Sequence, residues 1–329
     1  MASLDNLGPD TFRAFLAAQP PALLAGLGGV VALLGVAGAI SAALSAWRPG
    51  TRFLELRRRI ASWWVMVALL AGALLAGWQA TVVVFAVISF MALREFLSLA
   101  PIRKEDRPAI LAAYLILLAA YGFIAADRYM FYLVFIPVWT FLGLPFLMAL
   151  LGQTRGFLTT AATFHWGLVT CVYNLGFAAF LMRVPASDHL PAGAAGLVFF
   201  LLLATEFNDV AQYVVGKVIG RHKVVPTVSP NKTWEGFVGG WLLTALLIWK
   251  LGPVFTPLSG RGLLIVALAL PVAGFAGDVT MSAVKRDIGV KDTSNAIPGH
   301  GGVLDRADSL TFTAPLYFHL LALFALHKF

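Results

Sequence analysis

The chain has 329 residues, of which 60% are hydrophobic and 12% charged, with a formal charge of +8 at pH 7. Soluble domains carry roughly 25% charged residues, so a water-soluble globule is excluded, and a mean hydropathy of +0.84 places the chain among polytopic α-helical membrane proteins. The single cysteine, Cys171, lies in an apolar stretch, which excludes disulfides and cysteine-ligated metal sites.

The first twenty residues set Asp5 and Asp10 against Arg13, the wrong charge for a secretory leader, and read as an exposed or surface-lying segment. About 20 apolar residues are needed for each crossing. The sequence offers ten: Ala22–Ala46, Ala61–Trp78, Ala80–Leu99, Ala109–Ala126, Tyr129–Leu151, Thr159–Met182, Gly193–Ile219, Glu235–Leu251, Gly262–Val284 and Ser309–His327. Only Gln79 and its neighbours separate the second from the third, which leaves open one broken helix in their place; the charges favour two. When ten spans alternate, all of the 24 Lys and Arg except Arg13, Arg128, Arg183, Lys250, Arg261 and Lys328 fall on one face. The positive-inside rule makes that face cytoplasmic and puts both termini outside. This asymmetry also accounts for the basic character of the chain, Arg48 to Arg59 included, without a nucleic-acid partner.

Neither an internal repeat nor a low-complexity linker divides the chain. Residues 1–190 read as a scaffold of N-terminal helices with a lipid entry, and residues 191–329 as the catalytic membrane region, because the long polar connections, Gly220–Trp234 and Arg286–Asp308, both fall there on the basic face.

Ionisable groups inside spans cost about 2.5–3.5 kcal/mol each on insertion scales and point to function. In the seventh span Glu206, Asp209 and Tyr213 share a helical face, with Asn208 and Gln212 beside them. At the end of the ninth, Asp278, Ser282 and Lys285 share another, followed by Arg286. Before the last span come Lys291-Asp292, Gly299-His300-Gly301-Gly302 and Asp305-Arg306-Ala307-Asp308. Two carboxylates three residues apart suit Mg²⁺, whereas capping by Asp308 is the plainer alternative. The glycine turn lets backbone N–H groups approach an anion, and with the neighbouring cations it describes a metal-assisted phosphate site. Ser229-Pro230-Asn231-Lys232-Thr233-Trp234-Glu235-Gly236 adds a cation, two hydroxyls and an acid, or serves as a turn and cap.

The run from Ser282 through Lys285-Arg286 and Lys291-Asp292 to Ile297–Asp308 resembles the signature of phosphatidate cytidylyltransferases, the CDP-diacylglycerol synthases. The resemblance extends to Ser229–Gly236, Asp209 and Tyr213, and covers about Gly193 to Leu310; upstream, Arg94-Glu95 is a faint echo of a family acid. It implies an all-α, polytopic helical bundle, dimeric in many members, in a bacterial cytoplasmic membrane. The implied reaction joins CTP to phosphatidate, giving CDP-diacylglycerol and pyrophosphate, with Mg²⁺ alone or beside a second cation. Carried over by position, Asp278, Asp305 and Asp308 are the metal ligands. Lys232, Lys285, Arg286, Lys291 and Arg306 bind phosphates. His300 with Gly301 and Gly302, together with Ser229, Thr233, Ser282, Asp209 and Tyr213, meets the substrates. The chain departs from the family at Glu206-Phe207-Asn208 and Asp209-Val210-Ala211-Gln212-Tyr213, where the extra polarity points to a different lipid acceptor, and at Ala307, where a larger apolar residue is usual. Three alternatives remain open at this point: another lipid phosphate as acceptor, a CTP-dependent lipid kinase, and an ion-coupled transporter using Glu206, Asp209 and Asp278.

Overall fold

A computed structural model describes residues 9–47, 51–152, 154–185 and 190–326. Helices α1 (Pro9–Ala17) and α2 (Pro21–Trp47) each begin on a proline, whose missing N–H is not needed in a first turn. Gly77, at φ 102, takes a conformation that only glycine adopts without strain; it ends α3 (Thr51–Ala76) and lets α4 (Trp78–Leu99) start at once. The second and third expected spans are therefore two helices. Next come α5 (Arg107–Ala125), α6 (Tyr129–Val134) and α7 (Phe141–Leu150), the last two joined through a π turn that contains Pro137. A second π turn joins α8 (Phe157–Leu168) to α9 (Leu175–Phe180). Helix α10 (Gly193–Ile219) leads through a hairpin, β1 (Lys223–Val225) and β2 (Ser229–Thr233), to α11 (Trp234–Phe255), α12 (Gly260–Ile288), the short α13 (Val303–Ala307) and α14 (Leu310–Phe324).

Among the described residues nine helical rods are long and apolar enough to cross a hydrocarbon layer, and the chain is a polytopic helical membrane protein. The tenth expected span is the exception. Helix α14 has 15 residues, about 22 Å at 1.5 Å per residue, because the chain breaks between α13 and α14 at Asp308 and Ser309; the expected end of that span, His327, lies outside the described residues. The other departure from an all-helical fold is the hairpin, where Lys223 and Val225 pair with Thr233 and Ser229.

Apolar burial drives little association in lipid, so contact surfaces rest on close backbone approach and polar bonds. Both occur around α10. A Cβ on Gly236 would lie 2.8 Å from the Gln212 carbonyl and from Gly216 Cα, so α11 meets α10 backbone to backbone. Asn208 Nδ2 donates to the Pro271 carbonyl of α12 at 3.2 Å, while its oxygen accepts from Gln212 at 3.0 Å and from Thr244 of α11 at 3.4 Å. Thr205 bonds Thr313 of α14 at 2.9 Å. Phe177 and Phe180 of α9 pack on Phe318 of α14, with centroids 5.2 and 5.7 Å apart. The C-terminal segment is thus bound into the N-terminal helices.

Candidate active site

Everything from Thr293 to Asp308 is organised around two buried carboxylates. Asp305 lies in α13, where its Oδ2 accepts from the backbone N–H of Thr293 (2.7 Å) and of Gly302 (2.9 Å) and from the Thr293 hydroxyl (3.0 Å). Its Oδ1 meets Lys285 Nζ of α12 at 2.8 Å. The second carboxylate comes from far away in sequence. Glu95, near the end of α4, accepts from the Ser294 hydroxyl (2.7 Å) and Val303 N–H (3.0 Å) on Oε1 and from the Leu304 N–H (2.9 Å) on Oε2, which also shares the single Thr293 hydroxyl proton (2.9 Å) with Asp305. It sits at the N-terminus of α13, where the first N–H groups have no helical partner and negative charge is favoured.

These bonds explain the glycines. Ile297-Pro298-Gly299-His300 is a tight turn, closed by His300 N–H to Ile297 O at 3.0 Å, with Gly299 at φ 77. Gly301, at φ 83, would carry a Cβ 2.7 Å from Asp305 Oδ2, and a Cβ on Gly302 would collide with Glu95 and Thr293. The anions that lie against these glycines are the protein's own carboxylates, Asp305 and Glu95. Helix α3 covers its outer side: Ser62 donates to the Pro298 carbonyl at 2.8 Å, Arg59 lies against Gly299, and Trp63 meets His300 edge-on with centroids 6.1 Å apart. Burial and the charges of Arg306 and Arg59 hold His300 below its ordinary pKa.

Beside the loop a second ion pair joins Lys232, on β2, to Asp278 of α12, whose Oδ1 also accepts from Ser282 at 3.3 Å. Lys285, between the two groups, lies 3.9 Å from Asp308 as well as bonding Asp305. Asp308 receives its own neighbour's N–H, from Ser309, at 2.8 Å. Asp209, Asp278 and Asp308 lie close enough to repel one another. Asp209 Oδ1 and the Ser309 hydroxyl face each other, both buried and neither in a hydrogen bond of ordinary geometry.

The expected residues are thus drawn together selectively. Asp209, Lys232, Asp278, Ser282, Lys285, Asp305 and Asp308 converge. Arg286 instead ties the hairpin down, donating to the Val228 carbonyl at 3.3 Å. Thr233 is buried as the cap of α11, accepting from Gly236 N–H at 3.2 Å, and Glu235 fastens the hairpin by accepting from Arg221 N–H at 2.9 Å. Ser229 is half-buried in β2, and Lys291 is exposed. Tyr213 is 66% exposed under Lys217. Asn208 joins helices and Gln212 braces it from one turn along α10, whereas Glu206 lines a cavity with Arg306. Glu95 was visible in the sequence only as a faint echo of a family acid, with no role attached; Thr293, Ser294 and Ser62 carried no signal.

The donor set fits Mg²⁺ in part. Among the described residues no three acids, imidazoles or thiols form a cage of their own, and Asp305 already spends one oxygen on the loop and the other on Lys285. Asp278 and Asp308, with the orphaned oxygen of Asp209 beside them, offer the one or two carboxylates that Mg²⁺ takes when phosphates and water complete its shell.

A bundle of apolar helices with lysines and carboxylates gathered at one end defines a membrane-embedded enzyme. The chain belongs to the cytidylyltransferase family, which it matches over residues 57–324, and is a nucleotidyltransferase. It is 42% identical over 276 residues, 84% of this chain and 90% of the relative, to the uncharacterized protein YnbB of Escherichia coli. It is 43% identical to the phosphatidate cytidylyltransferase of Bacillus subtilis over 39% of this chain and 48% of that one. With the phosphatidate cytidylyltransferase of Haemophilus influenzae the identity is 38% over 43% of this chain and 52% of the relative. The match thus spans about half the length of these two enzymes.

Proposed function

We propose that the chain transfers the cytidylyl group of CTP to a lipid phosphate, with phosphatidate as the acceptor and CDP-diacylglycerol and pyrophosphate as products. The observation that carries this is the convergence of Lys232, Lys285 and three carboxylates at one end of α10 and α12, beside the loop that holds Arg306. In the reaction an oxygen of the lipid phosphate attacks the α-phosphorus in line; that bond forms as the bond to the bridging oxygen breaks, and pyrophosphate leaves with the electron pair. The attacking phosphate is already anionic near pH 7, so the site must position and neutralise charge more than move protons. Lys232 and Lys285 stand within reach of phosphate oxygens gathered at the carboxylates, and Asp305 and Glu95 fix the loop that brings Arg306 to them. When bound at Asp278 and Asp308, Mg²⁺ would supply the positive charge that phosphoryl oxygens and leaving pyrophosphate require. By the positive-inside rule this end faces the cytoplasm, in the inner membrane of a bacterial cell.

The test is CTP turnover by the purified protein in detergent with Mg²⁺ and phosphatidate, following pyrophosphate and CDP-lipid together. Both should accumulate one for one; CDP without pyrophosphate would reassign the chain as a lipid kinase. A different lipid phosphate as acceptor is the second reading. It is favoured by Glu206, which departs from the family pattern and faces the cavity beside Arg306, and by the long match to YnbB against the partial matches to phosphatidate enzymes.

A further inference from the structure

Between α2, α3, α4 and α10 lies a cavity of about 330 Å³, walled by apolar side chains such as Met66, Leu70 and Leu74 of α3, Ile88 of α4 and Leu202 of α10. Its polar lining is confined to Thr205, Glu206 and Arg306, and the signature loop closes that end through Ile297 and Val303. Along α3 it runs from Trp63, which touches His300, to Leu74. Eleven residues of helix make about 16 Å, half of a hydrocarbon layer about 30 Å thick, so the cavity reaches from the polar end to about the middle of the membrane.

We propose that this cavity holds one hydrocarbon chain of the acceptor lipid while Arg306 at its mouth takes the lipid phosphate, an assignment that rests on the nucleotidyl-transfer reading of the site. The depth is that of one leaflet. The volume, about 330 Å³, is of the size that a ligand's apolar part fills. Arg306 is exposed and supplies the positive charge at the mouth, where the Glu206 carboxyl lies close enough to interact with it. Arg306 also adjoins Asp305 and lies two residues from Asp308, so a phosphate held there is delivered to the cluster where Lys285 sits. A chain entering from the bilayer leaves one apolar medium for another, so the cavity selects by shape rather than by transfer from water. Chain length and bulk are then read by α3 and α10, whereas the phosphate is read by α13.

The experiment uses native mass spectrometry of the detergent-purified protein with phosphatidates bearing six-carbon or sixteen-carbon chains, and turnover of the same lipids alongside. Wild type should retain the long-chain lipid in preference. Met66→Trp and Leu70→Trp, which fill the cavity from α3, should each lower the long-to-short retention ratio about tenfold, the scale on which apolar pockets discriminate, and Leu70→Ala should move it the other way. Leu115→Trp, on an exposed face of α5, should leave the ratio as in wild type. Equal retention of both lipids by wild type, or unchanged ratios in both filled variants that still elute as folded protein, overturns the assignment and gives the cavity to bulk lipid or a second copy of the chain. Selective retention without cytidylyl transfer upholds the cavity and overturns only the acceptor reading.

Discussion

Two helices from the first third of the chain touch the signature loop, and they are held in opposite ways. Helix α4 carries Glu95 into the loop on three hydrogen bonds and a shared fourth, and 39% of its most apolar stretch is buried, with Leu93 and Ala92 fully enclosed. Only 11% of the corresponding stretch of α3 is buried, and Val65 and Leu69 stand open on its surface. One contact is fixed by charge and geometry; the other leaves a cavity of about 330 Å³ between the helices. On the proposed reading, rigidity falls where phosphates are handled and looseness where a flexible tail enters.

The sharpest break is Glu95→Gln. The amide keeps the shape but only one accepting oxygen, leaving one or two buried donors unpaired at about 1–3 kcal/mol each. Thermal unfolding should drop accordingly, and cytidylyl transfer should fall at least a hundredfold; full activity would make the clamp ornamental. Gly302→Ala comes next, since its methyl group must push Glu95 or Thr293 aside. It should destabilise by about 1–3 kcal/mol, with turnover reduced in step, and a crystal or cryo-EM comparison of the loop would show the displacement.

A gentler probe is pH. Burial works to raise the pKa of Asp305, but Lys285 and the N–H groups of Gly302 and Thr293 outweigh it and hold the carboxyl below its usual range. The folded-state pKa is thus below the unfolded one, so this contribution is complete above about pH 4 and is lost as pH falls through the folded value. Wild-type stability should therefore decline on the acid side of pH 4. Asp305→Asn should be less stable at neutral pH and show a flatter acid limb. At the small end, Val65→Ala on the open face of α3 should change stability within about ±0.5 kcal/mol, where a larger loss would mean that α3 is packed against something in the membrane.

The helices were readable because the membrane fixes their length: among the described residues nine of the ten expected spans coincide with a helical rod long enough to cross, although α3 starts ten residues before its expected span, and Gly77 settles the one doubtful boundary. Lys285, Asp305 and Asp308 were readable as neighbours because helical spacing and a short loop bring them together. Glu95 was not, because its partners Val303 and Leu304 lie more than 200 residues away and no local pattern announces them. The glycines of the loop were noticed for the right property, close approach, but sequence alone could not say which anion approaches. Asn208 and Gln212 looked like substrate-selecting residues because a polar group in a span is rare; the contacts with Pro271 and Thr244 that satisfy Asn208 belong to other helices.

The separation of Glu95 from its loop also sets a timetable for making the protein. Ribosomes add about 5–20 residues per second, so α4 waits roughly 10–40 s in the membrane, carrying an unpaired acid, before Val303 and Leu304 emerge. A chain cut short before the loop would keep that acid bare at the membrane surface, giving the cell's proteases a mark by which unfinished copies differ from finished ones.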